Sequence, residues 1–163
     1  VVQGRRAGPR LFVCAAIHGD EINGVEIIRR LTRSSALKHL RGTLIAVPVV
    51  NVYGFVRQSR YLLDRRDLNR SFPGSEKGSL AARLAHSFLA EVVSKADYGI
   101  DLHTGAVHRE NLPQVRASFD DDGVIEPDPH NAARKEQTIV AGRGPVLELT
   151  PQASQGHPDL LFR

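Results

Sequence analysis

Residues 11–17 (LFVCAAI) form an unbroken apolar run with no position left to face water. Such a run reads as a strand buried on both faces, the pattern of a parallel sheet covered by helices. His18-Gly19-Asp20-Glu21 breaks the run. Residues 22–31 then place apolar side chains at 22, 25, 27, 28 and 31, which predicts a helix with one buried stripe. Residues 43–50 (TLIAVPVV) read as a second buried strand, made irregular by Pro48, which cannot donate to a ladder. Strand, helix and strand in this order predict a βαβ unit with a parallel pair and a right-handed crossover.

Residues 51–77 are polar and rich in Arg, Asp, Asn and Gly, with Pro73-Gly74 near the end. A loop of that length inside a compact domain is usually functional. Helical spacing resumes over 79–93, with Leu80, Leu84, Phe88, Leu89 and Val92 apolar, and 98–102 reads as a third strand ending at His103-Thr104-Gly105. The alternation predicts an α/β fold with a mostly parallel sheet. Sites in such sheets form at the carboxyl ends of strands, where both His18 and His103 fall. From about residue 120 the chain turns acidic and proline-interrupted, 145–150 (PVLELT) reads as a strand, and 151–163 shows no periodicity. With no internal repeat and no clean linker, residues 1–163 read as one domain whose segment 120–163 is a poorly patterned tail.

The chain has 163 residues, 41% hydrophobic and 25% charged, proportions that suit one ordinary globular core. No apolar run approaches the roughly 20 residues that span a bilayer, so membrane insertion is not expected. Cys14 is the single cysteine, which excludes an intramolecular disulfide and a cysteine-based zinc site and fits a reducing, cytoplasmic setting. The chain opens at Val1 and contains no Met, which fits a domain incomplete at one or both ends. With 22 basic and 18 acidic residues the net charge is +4, enough to favour an anionic partner. Beyond Tyr53, Phe55 and Tyr61 there is no interleaving of aromatic and basic residues, which disfavours a nucleic acid. No feature of the sequence specifies an oligomeric state.

His18 and Glu21 are three positions apart and can face the same way on one helical turn. With His103 from a neighbouring strand end they make a His₂Glu set with one coordination position left for water, an arrangement of catalytic zinc sites. The bare H-x-x-E pair is more often a solvated helix start. The buried strand before it and the second strand-end histidine favour the metal. A second group comprises Arg60, Arg65, Arg66, Asp67, Asn69 and Arg70, followed by Phe72-Pro73-Gly74. The planar fork of arginine grips a carboxylate bidentately, and Asn69 adds a directed hydrogen bond. A solvated basic loop or a phosphate patch is the plainer reading.

Three blocks in order, H-G-D-E at 18–21, D-L-N-R at 67–70 followed by S-F-P-G, and D-L-H-T-G at 101–105, resemble the succinylglutamate desuccinylase/aspartoacylase family, which is related to zinc carboxypeptidases. The resemblance covers roughly residues 10–119. It implies a three-layer α/β sandwich of the zinc carboxypeptidase type, Zn²⁺ as cofactor, and hydrolysis of the amide bond of a small anionic acylamino acid. Residue by residue, it implies His18, Glu21 and His103 as zinc ligands and Asn69 and Arg70 as the pair holding the substrate carboxylate. Arg60 resembles the arginine that polarises the scissile carbonyl, with Arg57 and Arg66 as competitors. Asp67 resembles the carboxylate that orients a zinc-bound imidazole, and Asp101, on the face of its strand shared with His103, is a rival for that duty. Glu148, in V-L-E-L-T, resembles the general base, against the plainer reading of an edge-strand residue facing water. The chain departs from the family in a shorter stretch between His103 and Glu148, in a poor match from about residue 120, and in lacking a glycine after Glu148.

His39, His86, His130 and His157 have no partner at metal-ligand spacing and read as surface or packing residues. His108 and Arg109 follow the third block closely and could line a pocket. Cys14, inside a buried strand, reads as a small packing residue. The rival functions are a zinc carboxypeptidase acting on a peptide C-terminus and an inactive zinc- or carboxylate-binding module.

Overall fold

The computed structural model describes residues 1–106 and Arg109, together with the backbone of strands at 114–118 and 146–150. Among the described residues six strands form one sheet: β1 (Val2–Gln3), β2 (Arg6–Ala15), β3 (Arg41–Val47), β4 (Tyr98–Leu102), β5 (Gln114–Ser118) and β6 (Val146–Thr150). Their order across the sheet is β1-β3-β2-β4-β6-β5. The four central strands are parallel, and short antiparallel strands close both edges.

Side chains of β2 alternate between two cores, as the period of a strand requires. Phe12 and Cys14 face a cluster built with Ala81, Ala85 and Phe88 of helix α3 (Leu80–Glu91). Val13 and Ala15 face a second cluster with Ile28 of helix α1 (Asn23–Arg33). Helices thus cover both faces, and the architecture is the three-layer α/β sandwich with a mostly parallel sheet that the sequence implied. Phe12 and Phe88 meet edge to face at 6.2 Å, and Phe72 packs on Phe88 in the same way.

Two expectations are corrected. His18 and Glu21 share a face through an isolated turn rather than a helical one: the Glu21 N–H donates to the His18 carbonyl, and α1 begins at Asn23, one residue after the expected start. The i to i+3 closure still turns both side chains the same way. The polar stretch 51–77 is also not structureless. It holds helix α2 (Val52–Arg57) and a 3-10 turn at Leu68–Arg70. Leu62, Leu68 and Phe72 sink into the α3-side core, which holds this segment down. Asp64 binds it to the start of α3 by accepting from the Ala81 N–H at 3.0 Å. No helix among the described residues is long and apolar enough to cross a membrane.

Candidate metal centre

Asn51 sets the end of β2. This fully buried side chain caps α2 by accepting from Gly54 N–H at 2.8 Å and donates to the Ile17 carbonyl at 3.2 Å. Its own N–H donates to the carbonyl of Ala16, a residue held at φ 51°. A non-glycine residue in the left-handed region is costly and persists only where its surroundings dictate it. Here it swings the chain off the strand and delivers His18 over the carboxyl edge of the sheet. Gly19 then lies against the backbone of α2, and a Cβ there would stand 1.9 Å from the Gly54 carbonyl carbon. Gly19→Ala is therefore expected to push α2 away, cost about 1–3 kcal/mol, and lower the thermal midpoint. A melting curve against wild type checks this.

His18, Glu21 and His103 converge at that edge and are buried, at 3%, 4% and 6% exposure. His18 Nδ1 lies 2.8 Å from Glu21 Oε1, and His103 Nδ1 lies 2.9 Å from Glu21 Oε2. The Thr104 N–H donates to the same Oε2 at 3.0 Å, fixing the carboxylate plane. The far nitrogen of each ring meets its own carboxylate: His18 Nε2 to Asp67 Oδ1 at 3.1 Å, and His103 Nε2 to Asp101 Oδ2 at 2.9 Å. The two aspartates read from the sequence as rivals thus take different imidazoles.

Arg60, one-third exposed, closes one side. Its Nε and Nη2 donate to Asp67 Oδ2, both at 2.9 Å, while Nη1 stands 3.6 Å from Glu21 Oε1 and 3.4 Å from His18 Nδ1. The 3-10 turn carrying Asn69 and Arg70 starts on Asp67, which accepts from the Asn69 N–H at 2.9 Å. Arg70 Nε lies 3.8 Å from Asp67 Oδ2 with its side chain half exposed. Of the competing arginines, Arg57 lines a surface groove with Ile22, Val25 and Glu26, and Arg66 is exposed. The Glu148 side chain lies outside the described residues, as do His108, His130, His157 and most of 120–163. The backbone of Glu148 pairs in register with Asp101. His39 and His86 stand away from the three-residue group, His86 beside Glu76.

The electrostatics are those of a closed network. Burial works to raise the Glu21 carboxyl, but the hydrogen bonds from His103 and His18 outweigh it and hold Glu21 at about 2. Burial likewise opposes ionisation of Asp67, and the His18 contact with the Arg60 charge brings it to about 2. Burial depresses both imidazoles, yet their carboxylate partners raise them: Asp67 and Glu21 for His18, Asp101 and Glu21 for His103.

This donor set fits a divalent ion. One ligand atom from each of His18, Glu21 and His103 lies within 4.8 Å of the others. His18, Glu21 and His103 would hold such an ion, two imidazole nitrogens and one carboxylate being a donor set that suits zinc. Three carboxylates (Glu21, Asp67, Asp101) surround the two imidazoles, with Arg60 and the half-exposed Arg70 against Asp67, and the mixed nitrogen and oxygen donors suit a divalent cation.

The family model of the succinylglutamate desuccinylase/aspartoacylase catalytic domain matches residues 7–134. The chain belongs to this family. A relative in Halomonas elongata, an N-alpha-acetyl-L-2,4-diaminobutyric acid deacetylase, is 30% identical over 119 residues, covering 72% of this chain and 35% of that protein. The crystal structure of a succinylglutamate desuccinylase/aspartoacylase from Rhodobacter sphaeroides superposes with a TM-score of 0.63 at 31% identity, over 68% of this chain and 34% of that one. A candidate metallopeptidase from Shewanella amazonensis shares the fold, with a TM-score of 0.62 at 18% identity over 90% of this chain and 70% of that chain. The chain thus spans about a third of the length of the family relatives it matches.

Sequence reasoning missed two participants. Asn51 stood at the head of N-V-Y-G, a capping residue before an apolar step, which is a legible signal. The Thr104 N–H had none, because any residue but proline supplies a backbone donor.

Proposed function

We propose that this chain carries the zinc centre of an amide hydrolase acting on N-acyl amino acids. The observation that carries the reading is the meeting of His18 Nδ1 and His103 Nδ1 on the two oxygens of one buried carboxylate, Glu21. His18, Glu21 and His103 would hold the ion, which supplies Lewis acidity and acidifies a bound water. Asn69 and Arg70 bind the free carboxylate of the substrate and set its register. Arg60, anchored by Asp67, directs a guanidinium N–H at the acyl oxygen, where negative charge develops. Glu148 takes up the proton of the attacking water and returns it to the departing amine. The acyl-amino-acid chemistry named for the Halomonas relative supports this substrate class, and the net charge of +4 agrees with a small anionic substrate.

The test combines metal analysis with turnover. The protein should retain about one zinc per chain and release amine from N-acyl amino acids, with activity abolished by a chelator and restored by one equivalent of zinc. Glu148→Gln should keep the metal and lose rate by about 10²- to 10⁴-fold. Turnover confined to peptides with a free C-terminus would make the protein a carboxypeptidase. Zinc and acylamino-acid binding without turnover would make it a binding module.

A further inference from the structure

The thiol of Cys14 has no part in that chemistry, yet it is fully buried and directed at the metal centre's supporting carboxylate. β2 and β4 run parallel with Cys14 opposite Asp101, and Cys14 Sγ lies 3.3 Å from Asp101 Oδ1. The other oxygen, Oδ2, holds His103 Nε2 at 2.9 Å. An ionised carboxylate only accepts, so the thiol S–H is the donor. Burial, and then the Asp101 charge, push the Cys14 thiol up and keep it protonated. The line of contacts therefore runs from Cys14 through Asp101 and His103 to Glu21.

Held by His103 alone, the Asp101 carboxylate could turn about its own axis. A second donor on Oδ1 fixes its plane. We propose that Cys14 is a positioning residue: its S–H fixes Oδ1 of Asp101, so that Oδ2 stays on His103 Nε2 and His103 Nδ1 stays turned toward Glu21. The geometry stands by itself, while its consequence for the metal rests on the zinc reading above.

The test compares wild type with Cys14→Val, which removes the donor without opening a cavity, and Cys14→Ser, which restores a donor. In the metal-free protein labelled with ¹⁵N histidine, the His103 Nε2–H resonance should be sharp in wild type and Cys14→Ser and broadened by solvent exchange in Cys14→Val. By chelator competition, zinc affinity should fall about 3- to 10-fold in Cys14→Val, below the 10- to 100-fold typical when a ligand's direct partner is lost. Cys14→Ser should recover to within about twofold, and the visible spectrum of the cobalt-substituted protein should shift only in Cys14→Val. Equal resonances in wild type and Cys14→Val would overturn the proposal, as would a serine variant no better than valine. A wild-type protein that takes up no zinc would overturn the metal reading, and the resonance comparison would still decide the role of Cys14.

Discussion

Glu21→Ala should abolish zinc retention and all turnover while leaving a folded but weakened protein. Structural zinc sites are worth about 10–16 kcal/mol over four ligands, so one ligand carries about 3 kcal/mol. Its loss weakens binding on the order of a hundred- to a thousandfold. The metal-free protein suffers too. Glu21 accepts from both imidazoles and from the Thr104 N–H, and it is almost wholly buried. Removing it strands three donors at a closed site, and breaking a buried ionic pair typically costs about 3–5 kcal/mol. Glu21→Gln separates the two effects. The amide keeps one acceptor oxygen, so the thermal midpoint should fall less than in the alanine variant, while zinc is lost from both. Metal counting by mass spectrometry and a melting curve read the two quantities independently. A Glu21→Ala protein that keeps stoichiometric zinc and hydrolyses acylamino acids would end the assignment.

Much of this arrangement was legible in the sequence. The apolar runs at 11–17 and 43–50 and the helical spacing at 79–93 produced β2, β3 and α3, because burial on both faces of a sheet leaves a continuous apolar signature. Helix α2 was not legible. Its six residues, VYGFVR, carry no stripe of their own and are held by the Asn51 cap and the packed segment that follows. That His18 and Glu21 share a face is legible in their i to i+3 spacing, but whether a helix or an isolated turn supplies it is not, because the spacing is alike in both. Cys14 and Asp101 are 87 positions apart, and their contact exists only through the register of β2 on β4. For the same reason the choice between Asp67 and Asp101 had no answer in sequence. Which carboxylate meets which ring depends on how β4 and the 51–77 segment come together, and in the fold each aspartate meets one ring.

Asp67→Ala should damage metal binding and catalysis by separate routes. One oxygen of Asp67 meets His18 Nε2 and caps the Asn69 turn, while the other carries two donors from Arg60. Loss of a histidine's supporting carboxylate typically weakens metal affinity about 10- to 100-fold. Loss of the Arg60 anchor frees a guanidinium that is already one-third exposed, so the direction toward the acyl oxygen that we propose for it would no longer be defined. Removing such a preorganised donor commonly costs about 10²- to 10³-fold in kcat. In the presence of saturating zinc the first loss is repaired and the second is not, so kcat should stay low after metal affinity ceases to matter. Arg60→Ala should reproduce the kcat loss with little change in zinc affinity. In the double variant the two kcat losses should fall well short of additive, because residues sharing one network couple. Full additivity in that cycle would mean that Asp67 does not act through Arg60, and that the carboxylate serves the imidazole alone.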